Sequence, residues 1–95
     1  MAKSIISGEY ECYICGTIED LHRHHIFNGS GIRPLSEKNG CWVYLCARHH
    51  NMSKYGVHTN RELDLQIKRI CQKKLEESGW SREEFIKTFG RNYDV

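Results

Sequence analysis

The sequence lacks a long hydrophobic run, because no apolar stretch approaches the roughly 18 residues that a membrane-spanning helix needs. Its first residues, "MAKSIISGEYEC", contain no long apolar segment and no small-residue cleavage signal, so we expect no secretory peptide. Strong charge of one sign is also missing, since the net charge is only +2. These absences predict a cytoplasmic protein with no membrane partner. A net charge this small neither requires nor excludes nucleic-acid binding, which depends on where the positive side chains lie.

The five cysteines are an odd number, and a complete disulfide framework is uncommon in a reducing compartment. A chain of 95 residues forms one domain and buries only about 60 to 65% of the surface that its unfolded form exposes. Its hydrophobic core is therefore small. Metal binding would explain the cysteines and would also compensate for the limited core.

Two pairs of potential metal ligands have the two-residue spacing that lets both side chains of a turn bind one ion. The pairs are Cys12-x-x-Cys15 and Cys46-x-x-His49. Thiolates and imidazole suit zinc, and four protein ligands make a closed, structural Zn²⁺ site. In the alternative interpretation the spacing is a coincidence and Cys46 is a small buried residue at a strand end. Cys41 is a weaker alternative ligand.

Two strands are predicted on either side of a loop. "LHRHHIF", residues 21–27, alternates so that His22 and His24 share one face while His25 lies on the other. "CWVYL", residues 41–45, is rich in residues that favour strands. The intervening residues 28–40 are rich in Gly, Ser and Asn and contain the only proline, which predicts a loop.

The rest of the chain has helical patterns. A short helix is predicted in residues 46–56, an amphipathic helix in residues 59–79 with Thr59 or Asn60 as its N-cap, and a last helix in residues 81–90. The positions expected to face the core are Leu63, Ile67, Ile70, Cys71, Leu75, Phe85, Ile86 and Phe89.

The predicted fold class is α+β, with a small zinc-stapled β-hairpin, a helix and additional C-terminal helices. Residues 1–11 are expected to be a flexible lead-in and residues 12–58 the zinc core. Residues 59–95 are expected to be a helical extension packed on that core.

The order of these features resembles the HNH endonucleases, in particular the small zinc-stapled enzymes common among phages. The resemblance rests on the CxxC pair, a strand ending in "HHI", a second strand ending in "LC", and the pair His49-His50 entering a helix. It covers roughly residues 12–58. It implies a ββα-metal core and a metal-dependent DNA endonuclease, located in the cytoplasm of a bacterial or phage-infected cell.

The resemblance also implies a role for individual histidines. His25 would be the general base, His24 and His50 would hold a catalytic divalent ion such as Mg²⁺ or Mn²⁺, and His58 is a less secure further ligand. Histidine suits the role of base because its pKa near 6.5 lets it take a proton from water near neutral pH. His22 would be a bystander or a phosphate contact. His24 and His25 can serve one site only if the strand twists or bulges between them.

Positive side chains near this site are expected to contact the DNA backbone through binding that is independent of sequence and sensitive to salt. They are Arg23, Arg33, Arg48 and Lys54. The basic residues of the 59–79 helix are weaker candidates, because acidic residues are interspersed among them. The oligomeric state stays open, and a homodimer is one way in which both DNA strands would be cut.

One position departs from the family. Its middle asparagine, about five residues before the cysteine of the second metal-ligand pair, is Cys41 in this chain. In the family that residue braces the loop that holds the base, so the departure predicts a less efficient enzyme or an inactive relative. The alternative function is a non-catalytic zinc-binding module for nucleic acid or protein. In that case the histidines would be solvated, or one would replace His49 as a zinc ligand.

Overall fold

A computed structural model describes residues 3–52, 56–57 and 60–94, with the backbone alone for residues 51 and 52. This part of the chain is α+β, as predicted, with a two-stranded antiparallel hairpin and helices. Its elements, in chain order, are β1 (Leu21–His25), α1 (Arg33–Lys38), β2 (Trp42–Cys46), a π-helical turn (Arg48–Met52), α2 (Arg61–Glu77) and α3 (Arg82–Phe89).

The hairpin has a regular register. Leu21 lies opposite Cys46 and His25 lies opposite Trp42, with one-to-one pairing in between. Because side chains alternate along a strand, His24 and His25 point to opposite faces of β1. The bulge that would bring these two side chains to one face is absent from this hairpin.

The loop prediction is wrong for part of residues 28–40, because this segment contains α1. Pro34 lies in the first turn of α1, where its missing N–H removes no intrahelical hydrogen bond. Ser36 is fully buried, donates its hydroxyl to the Cys41 carbonyl at 2.5 Å and accepts the Phe27 N–H at 3.1 Å. A short helix therefore connects the strands. Its Ser36 attaches it to the chain just after β1 and just before β2.

The two longer helices begin at side-chain caps. Asn60 accepts the Leu63 N–H at 3.1 Å, and Ser81 accepts the Glu84 N–H at 3.0 Å, so both predicted helix starts are confirmed. The alternative cap Thr59 lies outside the described residues. The short helix predicted to reach residue 56 is described only as the π-helical turn.

The core lies between the hairpin and the last two helices. The Phe27 ring is 4.6 Å from Phe89 and 5.2 Å from Phe85, measured between ring centroids. Two positions predicted to face the core, Ile70 and Ile86, are instead 39% exposed. The buried apolar positions recur every four residues, as 67, 71 and 75 in α2 and 85 and 89 in α3. Both isoleucines lie about 100° around the helix from these stripes.

The described part of the lead-in contacts the hairpin. The Ser4 hydroxyl donates to the Trp42 carbonyl at 2.6 Å, and the Ile5 N–H donates to the Gly40 carbonyl at 3.0 Å. Gly40 has a φ of 74°, and a side chain at this position would collide with the backbone of Lys3. No helix among the described residues is long and apolar enough to cross a membrane.

Candidate metal centre and histidine cluster

Four side chains from three parts of the chain converge at one end of the hairpin. Cys12 and Cys15 lie on a tight turn, Cys46 is the last residue of β2, and His49 lies on the π-helical turn. The turn is closed by the Gly16 N–H, which donates to the Cys12 carbonyl at 2.8 Å. All four potential ligand atoms lie within 4.8 Å of one another. We refer to these four residues as the metal centre, because they could hold an ion such as zinc.

The separations between ligand atoms fit a tetrahedral zinc site. Zn–S bonds of about 2.3 Å and Zn–N bonds of about 2.0 Å place sulfurs about 3.8 Å apart and a sulfur and nitrogen about 3.5 Å apart. The Cys15 and Cys46 sulfurs are 3.8 Å apart, and His49 Nδ1 lies 3.3 Å from the Cys46 sulfur and 3.8 Å from the Cys12 sulfur. These three distances need only small adjustment to accommodate the ion.

The thiols of the metal centre differ in their pKa values. Burial raises the pKa of Cys12, but hydrogen bonds from the backbone groups of Cys46, Cys15 and Ile14 outweigh it and lower the pKa to about 6. Burial raises the pKa of Cys46. Cys12 is therefore largely a thiolate at neutral pH, the form that binds metal.

Two other cysteines lie away from this centre. Cys41 and Cys71 are fully buried, and contact with Cys41 together with burial raises the pKa of Cys71. Cys71 is thus a protonated thiol packed in the core, as its position in α2 predicts. Cys41, the weaker alternative ligand, is not among the converging ligand atoms.

A second group of imidazoles lies on one face of the hairpin. His22 Nδ1 is 2.9 Å from His50 Nδ1, and the ring centroids of His24 and His50 are 5.3 Å apart. His24 is only 3% exposed. We call His22, His24 and His50 the histidine cluster. The neighbours His49 and His50 thus diverge, one towards the metal centre and the other towards the histidine cluster.

The histidine cluster is less convergent than the metal centre. Among the residues that the structure describes, only the metal centre brings three or more ligand atoms within 4.8 Å of one another. One member of the His22–His50 contact must be a neutral ring that accepts the hydrogen bond, since an imidazolium can only donate. The cluster thus consists of side chains of a metal-ligand type, but its described members are less convergent than those of the metal centre.

His25 lies on the opposite face of β1. Its Nε2 is 3.0 Å from Glu37 Oε1, while Arg23 Nη2 donates to Glu37 Oε2 at 2.6 Å. The Arg23 guanidinium also lies 3.6 Å from the centre of the Trp42 ring. Hydrogen bonding from Arg23, followed by that from His25, lowers the pKa of Glu37. The structure therefore brings His24 and His50 together and places His25 with Glu37.

The predicted DNA contacts that the structure describes differ in their exposure. Arg33 and Arg48 are exposed, whereas Arg23 is held by Glu37. His58 and Lys54 lie outside the described residues. The sequence interpretation placed His22 on the face of His24 but assigned it only as a bystander or a phosphate contact. It missed Glu37, because the contact of Glu37 with His25 required a helix that the composition did not indicate.

Comparison with protein-family models found no match. Searches of curated proteins and of solved structures likewise found no significant match. The resemblance to HNH endonucleases therefore rests on the residues of this chain alone.

Proposed function

We propose that the protein is a metal-dependent DNA endonuclease of the HNH type that hydrolyses phosphodiester bonds. The observation that carries the proposal is the divergence of His49 and His50. One joins three cysteines in a set of four side chains that could hold an ion, and the other lies beside His24 on the hairpin. A zinc bound by the metal centre would fix the hairpin and the π-helical turn, and that structural ion would need no histidine other than His49.

His24 and His50 are proposed to hold the catalytic divalent ion, with His58 as a further ligand. When bound, that ion supplies positive charge that stabilises the phosphate and the leaving oxygen. Imidazole ligands suit the later transition ions, whereas Mg²⁺ and Mn²⁺ prefer oxygen ligands, so Co²⁺ or Ni²⁺ fits this pair better than Mg²⁺ or Mn²⁺. His22 would orient His50 through their ring contact, as partners of metal-bound histidines commonly do.

His25 is proposed to accept the proton of the attacking water. Among the described residues β1 pairs only with β2, so its other edge has no strand partner. A DNA backbone lying along that edge would meet His25 from one face, whereas the buried His24 would act there only through the ion that it is proposed to hold.

Exposed arginines would contribute to DNA binding. Arg33 and Arg48 are proposed to contact the phosphate backbone, together with Lys54. Arg23 is a weaker contact than we expected, because its charge is paired with Glu37 and its guanidinium lies over Trp42. A homodimer is the proposed route to cutting both strands.

A plasmid-nicking assay on the zinc-loaded protein tests the proposal. The parent protein should nick DNA when a divalent ion is added, most efficiently with Co²⁺ or Ni²⁺, and His25→Ala should slow cleavage by about 10² to 10⁴-fold, the usual contribution of a positioned base. His24→Ala and His50→Ala should need more of the added ion. Lys87→Ala, an exposed change in α3, is the matched control and should nick like the parent. Metal-independent activity, or full activity in His25→Ala, would refute the assignment.

A non-catalytic zinc module is the second candidate, and the regular register of β1 favours it. His24 and His25 face opposite sides, as they would in a hairpin with no shared active site. Such a module would bind DNA or a protein partner in a binding assay. It would leave plasmid DNA uncut whichever divalent ion is added. The nicking assay therefore decides between the two functions.

A further inference from the structure

We propose that Glu37 is the positioning residue for His25, fixing which ring nitrogen accepts the proton of the attacking water. The inference rests on the proposed function and deepens it, because it adds a residue that the sequence interpretation did not assign. Glu37 contacts His25 and does not itself touch the reacting atoms.

The carboxylate of Glu37 divides its two oxygens between two partners. Oε2 accepts from Arg23 at 2.6 Å, and Oε1 lies 3.0 Å from His25 Nε2. The Arg23 guanidinium stacks in turn on the Trp42 ring, and Trp42 lies opposite His25 in the strand pairing of the hairpin. Every member of this chain of contacts is thus restrained by another, which limits rotation of the His25 ring.

The contact determines the tautomer of His25. Arg23 keeps the pKa of Glu37 below its ordinary value, so the carboxylate is ionised near neutral pH and can only accept hydrogen bonds. His25 Nε2 must therefore carry the hydrogen. In the neutral ring this leaves Nδ1 as the acceptor, and Nδ1 is the atom that would take a proton from water.

The position of Glu37 is fixed by α1. Ser36, its neighbour, is buried and hydrogen-bonded to Phe27 and Cys41, which attaches α1 to the end of β1 and the start of β2. Asn39, two residues after Glu37, directs its side-chain amide elsewhere and donates to the Leu35 carbonyl at 2.9 Å. Glu37 is thus the side chain that the connecting helix presents to His25.

A double-mutant cycle on the zinc-loaded full chain tests this role. Glu37→Gln keeps the size of the side chain but can donate as well as accept, so it no longer selects one tautomer. We expect it to lower kcat by about 10 to 100-fold with little change in KM. Because Glu37 acts through His25, combining Glu37→Gln with His25→Ala should cost no more than His25→Ala alone. Glu76→Gln removes another arginine-paired carboxylate, that of Glu76 with Arg82, and should cut at the parent rate.

The ring tautomer provides a readout that does not depend on cleavage. In the neutral ring, ¹⁵N NMR should show His25 with hydrogen on Nε2 in the parent and a mixture of tautomers in Glu37→Gln. Suppose that the parent protein cuts DNA. A hydrogen on Nδ1 of His25 would then overturn the role of Glu37, and so would a loss of cleavage rate in the double variant equal to the product of the two single losses. Neither outcome would overturn the proposed function. A parent protein that does not cut DNA overturns the proposed function, and the catalytic role of Glu37 with it.

Discussion

At the scale of single residues, the cysteines divide according to the groups that surround their sulfurs. Cys12 is surrounded by backbone groups that stabilise a thiolate, and these outweigh the effect of its burial. Cys71 contacts another buried thiol, Cys41, and keeps its proton. A negative sulfur near three other ligand atoms binds a cation readily, whereas a protonated sulfur in an apolar core behaves as a small hydrophobic group. The same residue type thus has two different roles in this chain.

This division predicts different outcomes for substitutions at two buried cysteines. Purified parent protein should contain close to one zinc, and Cys46→Ser should lose it because a hydroxyl is a poor replacement for a thiolate ligand. Cys71→Ala should keep the zinc and lose only about 1 to 3 kcal/mol of stability. Elemental analysis of the metal content, with thermal unfolding of both variants, checks the prediction. Loss of zinc in Cys71→Ala, or its retention in Cys46→Ser, would contradict it.

At the scale of elements, the helices differ in how well the sequence predicted them. Asn60 and Ser81 fix the starts of α2 and α3 through local hydrogen bonds, which a sequence pattern can indicate. The helix α1 depends on the burial of Ser36 against residues of both strand ends, which no local pattern contains. The metal centre was predictable because ligand spacing is a local property. The contact of His25 with Glu37 was not, because it needs α1 in place.

The helix α3 provides a matched pair of positions for a stability test. Phe89 is 2% exposed and packs against Phe27 and Trp80, whereas Ile86 is 39% exposed on the same helix. Phe89→Ala should lower the free energy of unfolding by about 3 to 5 kcal/mol, and Ile86→Ala should cost less than about 1 kcal/mol. Chemical denaturation of both variants measures the difference. Similar losses in the two would show that α3 does not pack as the structure indicates.

At the scale of the whole molecule, the small hydrophobic core and the metal centre are expected to stabilise one cooperative folding unit. Cys12 and Cys46 belong both to the metal centre and to the hydrophobic cluster that includes Ile67 and Phe85. A domain of this size has a net stability of about 5 to 15 kcal/mol, and zinc binding in finger peptides contributes about 10 to 16 kcal/mol. Loss of the ion should therefore unfold the hairpin and the helices in a single transition.

The two tryptophans allow this cooperativity to be measured at separate places. Trp42 lies on β2 beside Arg23, and Trp80 stacks on Phe89 next to α3. In Trp80→Phe the fluorescence reports the hairpin, and in Trp42→Phe it reports the helical side. Titration of each variant with a zinc chelator should give coincident transitions, because Val43, the neighbour of Trp42 on β2, belongs to the same buried cluster as Cys12 and Cys46, and Trp80 packs against that cluster. An unchanged Trp80 signal after the Trp42 signal has been lost would show that α2 and α3 form a folded unit without zinc. In that case the metal would stabilise the hairpin alone, and the residues proposed for catalysis would be the first to lose their structure.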